Sequence, residues 1–289
     1  MTELAFIDPR RVRARFERCA PGYDAAAALA REVASRMIER LDLVRMQPAR
    51  ALDLGSGTGG VARALLQRYP QAQVIALDFS LSMLRAGRPG RPSWAAWRAR
   101  APQLLCAAME RVPLADSSCD MVCSNLAIEW SAAPEQLLRE VRRVLRRGGL
   151  FMFSTLGPDT LRELRAATPR AGPAHPLADM HDVGDALVRE GFADPVMEVE
   201  RLTLTYPDVH ALLRELRASG CAARTAPQAR GLRGREWLAA IERGYAAFAR
   251  DSRVSASFEV VYGHAWKPEA PRVTEDGRAV VRFSPRLRP

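Results

Sequence analysis

Asp53-Leu54-Gly55-Ser56-Gly57-Thr58-Gly59-Gly60 is the stretch on which the reading of this 289-residue chain turns. It follows a short apolar run at 49–54 and leads into 58–69, where Val61, Leu65 and Leu66 share one helical face. Strand, glycine turn and helix in that order open a βαβ unit. Gly55, Gly57, Gly59 and Gly60 satisfy GxGxG and GxGxxG together. A backbone that carries no Cβ turns tightly and lets a ligand come close.

Outward from this loop the same alternation continues. Residues 74–77 form a second apolar run closed by Asp78, and Ser80 is placed to cap a short helix carrying Leu81, Met83 and Leu84. Runs at 104–107, 121–124 and 150–153 read as a third, fourth and fifth strand, with a helix over 134–145 stopped by Gly148-Gly149. Upstream, apolar residues recur at helical spacing over 25–44, ended by Pro48. Downstream, 157–167, 180–190, 207–218 and 236–250 read as helices, 196–206 and 258–266 as strands, and 88–102 and 168–176 as connections. Strands alternating with helices imply an α/β fold whose parallel sheet is covered on both faces, with its ligand crevice beyond the strand ends.

Chemically, the two glycine patterns differ: GxGxG points to S-adenosylmethionine, GxGxxG to a dinucleotide. Asp78 lies 25 residues after Asp53 at the end of the second strand, where a carboxylate accepts from both ribose hydroxyls of an adenosine. A generic tight turn and an ordinary helix-capping acid are the plainer readings of the same residues, and Asp78 suits either cofactor.

Downstream blocks separate them. Glu110-Arg111-Val112-Pro113-Leu114, Ser118-Cys119-Asp120-Met121-Val122 and 140–150 resemble the acidic-loop, fourth-strand and fifth-strand motifs of class I methyltransferases. Further segments are similar to the malonyl-acyl carrier protein O-methyltransferases of biotin biosynthesis: Phe16 with Ala20, Tyr23 and Asp24; Ser124-Asn125-Leu126-Ala127-Ile128-Glu129-Trp130; 154–161; 179–185; and Val260-Val261-Tyr262-Gly263-His264-Ala265-Trp266. The likeness spans about 13–266.

This resemblance implies a Rossmann-like fold with a mostly parallel seven-stranded sheet, helices on both faces and an added helical cap. It implies a single domain over 10–267: an N-terminal helical lid (10–48), a cofactor core (49–156), a substrate cap (157–192) and a C-terminal part (193–267), with a flexible tail at 268–289. S-adenosylmethionine is the implied cofactor, held by Tyr23, Asp53, Gly55, Ser56, Gly57, Gly59, Asp78, Phe79, Met83, Ala108, Met109 and Asn125. The implied acceptor is the free carboxylate of a malonyl thioester on an acidic acyl carrier protein. A carboxylate is already ionised near neutrality, so no general base is required. Tyr23, Arg162, Arg165 and His181 are the candidates for positioning the reacting groups, and no metal is expected. Two positions depart from the family. Ala108 and Met109 stand where Asp and Ala are usual, removing the carboxylate that meets the adenine amino group, and Ser56 replaces the commoner Cys. A quinone precursor or protein side chain as acceptor, or an inactive cofactor-binding assembly factor, are the rival functions.

Bulk properties fit an ordinary globular chain, 48% hydrophobic and 26% charged. The formal net charge of +10 comes almost wholly from arginine, Lys267 being the single lysine. It reads either as a surface for an acidic partner or as the codon usage of a GC-rich genome. Arginines scattered without interleaved aromatics argue against nucleic acid. No apolar stretch reaches the roughly 18 residues of a membrane span. The five cysteines form no CxxC pair, which suits a reducing cytoplasm.

Overall fold

The computed structural model describes residues 7–88, 100–168, 177–221, 235–250 and 253–269. The chain-order strands are β1 (Arg50–Leu54), β2 (Gln73–Asp78), β3 (Gln103–Cys106), β4 (Cys119–Asn125), β5 (Leu145–Leu156), β6 (Ala193–Tyr206), β7 (Ala249–Arg250) and β8 (Arg253–Trp266). Seven of them lie side by side in the order β3-β2-β1-β4-β5-β8-β6, and the two-residue β7 pairs only with the start of β8. Pairings among β1 to β5 are parallel, while β8 runs antiparallel to both β5 and β6. Because β1 sends the chain to β2 on one side and β4 lies on its other, a crevice opens beyond Leu54, Asp78 and Asn125.

Side-chain alternation divides each central strand between two apolar cores. Ala51, Met121, Cys123, Leu150 and Met152 face one core; Leu52, Leu54, Val122, Phe151 and Phe153 face the other. The first core is covered by α3 (Ala28–Glu39), through Leu29, Val33 and Met37, and by α4 (Gly60–Arg68), through Val61 and Leu65. The second takes Leu137, Val141 and Val144 of α6 (Pro134–Val144). Two further helices, α1 (Pro9–Cys19) and the short α2 (Tyr23–Ala26), carry the N-terminal segment over the rim of the crevice. Asp8 caps α1 by accepting from the N–H of Arg10 at 3.0 Å. The remaining helices are α5 (Leu81–Ala86), α7 (Arg162–Ala167), α8 (Met180–Arg189), α9 (Val209–Ala218) and α10 (Arg235–Tyr245).

Several boundaries differ from those the spacing suggests. The helix expected from residue 25 starts at Ala28, because Ala27 takes φ −95° and ψ 38°. Gly148 does not stop α6. The helix ends at Val144, Leu145 already pairs with Cys119, and Gly148 takes φ 71° inside β5, where the ladder to β4 shifts register. A glycine near a helix end reads as a stop, yet the same freedom serves a bulge. The helix expected to run to 250 ends at Tyr245 and gives way to a 3₁₀ turn (Ala246–Phe248) and β7. The expected connection at 88–102, the loop at 168–176 and the tail at 268–289 fall largely outside the described residues. Among the described residues no helix is long and apolar enough to cross a membrane.

Candidate active site

The glycine loop runs from the end of β1 to the start of α4 with Gly55, Gly57 and Gly59 at φ 73°, 56° and 82°, a region that side chains rarely enter. Gly55 and Ser56 both donate their N–H to the Leu77 carbonyl at 2.9 Å, pinning the loop to the end of β2. A first side-chain carbon at Gly55 would stand 2.3 Å from Ala127 Cβ, so this glycine is required by packing as well as by φ. Gly57 differs. A carbon there would meet only Met83 Cε at 3.6 Å and Tyr23 Cε1 at 4.0 Å, which leaves an open cradle above the backbone.

Asp53 and Asp78 shape that cradle from two sides. Asp53 is wholly enclosed, and its Oδ2 accepts from Ser56 Oγ at 2.6 Å and from the Ala62 N–H at 2.9 Å. It therefore braces the loop from beneath. Burial pushes its carboxyl up to about 7, against the pull of the Ser56 and Ala62 hydrogen bonds. Asp78 accepts from the N–H of Gly57 and of Ser80, both at 2.8 Å, one on each oxygen. Each oxygen retains a lone pair for a further donor. Burial lifts Asp78 to about 6, again opposed by the two N–H groups.

The buried Asp53 gives a testable pH dependence. Its folded value lies above the ordinary 3.8, so the native state holds a proton that the unfolded chain has released. Its contribution to stability is complete below about pH 4 and declines, by at most about 1.4 kcal/mol per unit, as pH climbs to about 7. Thermal unfolding of the cofactor-free protein and of Asp53→Asn between pH 5 and 8 is expected to show the variant gaining on the wild type as pH rises. A constant difference would refute this.

Phe79, Met83 and the turn after β3 flank the crevice beyond the end of β2. Met83 and Met109 are buried, and Ala108 is exposed. The turn is fixed by the Ala107 N–H donating to the Asp78 carbonyl at 3.1 Å and by Arg111 N–H donating to the Ala108 carbonyl at 3.1 Å. Asn125 braces the end of β4: its Nδ2 donates to the Ala30 carbonyl at 3.0 Å, and its Oδ1 accepts from Ser154 Oγ at 2.8 Å, leaving one amide hydrogen and one lone pair for a further partner. The Asn125 side chain thus ties β4 to α3 and β5.

The N-terminal segment closes over the loop. Phe16 packs edge-on against Phe79 and Trp130, with ring centroids 5.9 and 5.3 Å apart. Glu17 accepts from Ser82 Oγ and Asp24 from Thr58 Oγ1, each at 2.6 Å. Tyr23 stands between these contacts, facing Gly57. Burial first, then the acidic neighbours Cys221, Asp78, Asp24 and Glu129, drive its phenol far above the usual range. A phenol held this high stays protonated, so Tyr23 is able to donate a hydrogen bond but not to act as a base. Behind it lies a narrow cavity of about 40 Å³, walled by Phe16, Tyr23, Leu126, Glu129, Trp130, Leu156, Glu215, Cys221 and Phe258 among others.

Arg162, Arg165 and His181 do not line this cavity. Arg162 is 58% exposed and meets Glu163 at 3.3 Å. Arg165 donates to the Thr160 carbonyl at 2.8 Å, and His181 sits exposed on the first turn of α8, its N–H donating to Asp179 at 2.9 Å. Sequence spacing gave no sign of Glu215 or Cys221, which reach the cavity from far along the chain. Glu129 and Trp130 belong to a block noted for its resemblance, but nothing in the sequence marked them as wall. Among the described residues no cluster of His, Cys, Asp or Glu is arranged to hold a metal.

Comparison with known proteins agrees with this layout. A family model described as a methyltransferase domain matches residues 52–153. The solved structure of an S-adenosylmethionine-dependent methyltransferase from Thermotoga maritima superposes with a TM-score of 0.53 at 16% identity, covering 89% of this chain and 99% of that one. Phosphoethanolamine N-methyltransferase 2 of Haemonchus contortus gives 0.54 at 17% identity, over 91% of this chain and 61% of its own. These show the shared fold. Malonyl-[acyl-carrier protein] O-methyltransferase of Laribacter hongkongensis is 52% identical over 99% of both chains, and that of Gallionella capsiferriformans 48% identical over 96% of this chain and 97% of its own. With identity of that order along its whole length, the chain belongs to the malonyl-[acyl-carrier protein] O-methyltransferase family and is an S-adenosylmethionine-dependent methyltransferase.

Proposed function

We propose that this protein methylates the free carboxylate of a malonyl thioester carried by an acyl carrier protein, yielding the methyl ester used in biotin synthesis. The observation that carries the reading is the full-length identity to enzymes of that name, together with a cavity that shares Tyr23 with the glycine cradle.

The residues of the crevice fit the cofactor. Gly57 leaves the backbone open to close approach, Asp78 keeps acceptor capacity for ribose hydroxyls, and Phe79, Met83 and Met109 supply apolar surface for the adenine. Asp53 and Ser56 hold the loop in shape, while Gly55 and Gly59 give it its turns. When bound, S-adenosylmethionine supplies a methyl group on a positively charged sulfur, and transfer to a carboxylate oxygen leaves a neutral thioether. The chain's own work is alignment and exclusion of water. Phe16, Trp130 and Leu126 make the apolar wall that keeps water from the acceptor, and the protonated Tyr23 offers its hydroxyl as a donor at the junction of crevice and cavity. The acceptor carboxylate arrives ionised, so no residue is asked to remove a proton. The segment 157–192 is proposed to cap the acceptor side, with Arg162 and Arg165 supporting the cap rather than gripping the acceptor.

Incubation with malonyl-carrier protein and methyl-labelled cofactor tests the reading. A base-labile label on the malonyl group is expected. Label on a quinone precursor or a protein side chain instead, or no cofactor binding by calorimetry at millimolar concentration, overturns it.

A further inference from the structure

The last turn of α1 rests against the end of α9. Cys19 Sγ donates to the Arg217 carbonyl at 3.2 Å, and a side-chain carbon at Gly220 would come within 2.8 Å of the Phe16 ring. This seam collects Arg15, Arg18 and Arg217. Arg18 and Arg217 are exposed. Arg15 is half-buried, and its Nε is enclosed without any hydrogen-bond partner.

Among the described residues none of the three has a carboxylate partner. Several arginines elsewhere do have one, Arg40 with Glu198, Arg68 with Asp42, Arg143 with Asp116 and Glu140, Arg146 with Asp120; what distinguishes the seam is the enclosed, unpartnered Nε of Arg15 beside the cavity. A guanidinium nitrogen left enclosed and unpaired is costly, and a neighbouring anion relieves the cost. Burial lowers the Arg15 pKa; Cys19 and Cys221 raise it, and the like charges of Arg18 and Arg217 lower it further. The seam also adjoins the acceptor cavity, since Phe16 beside Arg15 and Cys221 across from it both form the wall.

Resting on the function proposed above, we propose that Arg15, Arg18 and Arg217 form the surface on which the acidic carrier protein docks to present its thioester arm to the cavity. Charge complementarity singles out this occupant. Three cations without a carboxylate partner among the described residues stand beside Phe16, Leu216 and Cys221 of the cavity wall, in a chain whose net charge is +10. Such rim charges steer association and are weakened by salt.

The paired charge reversal R18E/R217E, both at exposed positions, tests this with two acceptors: malonyl-carrier protein and the malonyl thioester of a short neutral thiol. Thermal unfolding and cofactor titration verify that the variant is folded. With the carrier, kcat/KM is expected to fall about 30- to 100-fold, mostly through KM. With the small thioester the loss should be at least about tenfold smaller. Wild-type kcat/KM for the carrier should also decline with added salt more steeply than that of the variant. Equal losses on both acceptors, or unchanged carrier kinetics, overturn the docking surface. A wild type that methylates neither thioester removes the functional reading instead, so the two failures are distinct.

Discussion

Asparagine in place of Asp78 is expected to weaken S-adenosylmethionine binding about 100-fold at pH 8, and far less at pH 5. The Asp78 carboxylate already accepts the N–H groups of Gly57 and Ser80 on separate oxygens. In the proposed site it also receives the ribose hydroxyls, which are hydrogen bonds to a charged group worth about 1.5–3 kcal/mol each. An asparagine amide must turn its NH₂ toward one of the two backbone donors, so it both loses charge and misplaces a hydrogen. The pH term follows from burial, which holds the carboxyl at about 6. Wild-type affinity therefore weakens as pH falls through that value, by up to about tenfold per unit, because the acceptor becomes protonated. The variant has no such step. Calorimetric titration of both proteins from pH 5 to 8 should show their curves converging on the acid side. Parallel curves, or a loss below about threefold at pH 8, remove Asp78 from the ribose site.

The second large effect has the opposite sign. Ala108→Asp is expected to tighten the cofactor by about 1–3 kcal/mol, tenfold or more in the dissociation constant. Ala108 is exposed at a turn whose preceding residue is anchored to the Asp78 carbonyl, so position 108 is held near the adenosine side of the crevice. The family resemblance implies a carboxylate there, facing the adenine amino group. Its absence leaves that donor to water or to backbone. Titrating the variant beside the wild type is decisive: an unchanged dissociation constant would mean that the adenine edge lies out of reach of position 108.

The centre of the fold and the cofactor loop were legible because they are local. A strand period of two, a helix period of 3.6 and glycines at positive φ all write themselves into adjacent residues, and Asp53 through Asp78 is a run of such signals. Boundaries were less clear where one residue serves two purposes. Gly148 bulges a strand although glycine there reads equally as a helix stop, and the stretch after Tyr245 pairs as β7 although its composition continues a helix. The cavity beside Tyr23 was the least legible. Its walls bring Phe16, Glu129 and Cys221 together from three distant parts of the chain, and no spacing rule encodes that meeting. Asn125 illustrates the same limit. The family resemblance implied a cofactor role for it, while nothing in its neighbours foretold that its amide also ties β4 to Ala30 and Ser154.

One stretch of ten residues, from Arg15 to Asp24, bonds to the glycine loop through Asp24, to α5 through Glu17, and walls the acceptor cavity through Phe16 and Tyr23. The two chambers therefore share a single door. Lifting it breaks the Glu17–Ser82 and Asp24–Thr58 hydrogen bonds, the bonds of Cys19 to Arg217 and of Arg31 to Asp24, and the Phe16 ring contacts, and it unseals both at once. Under the proposed function, spent cofactor and esterified acceptor would both leave past this one segment.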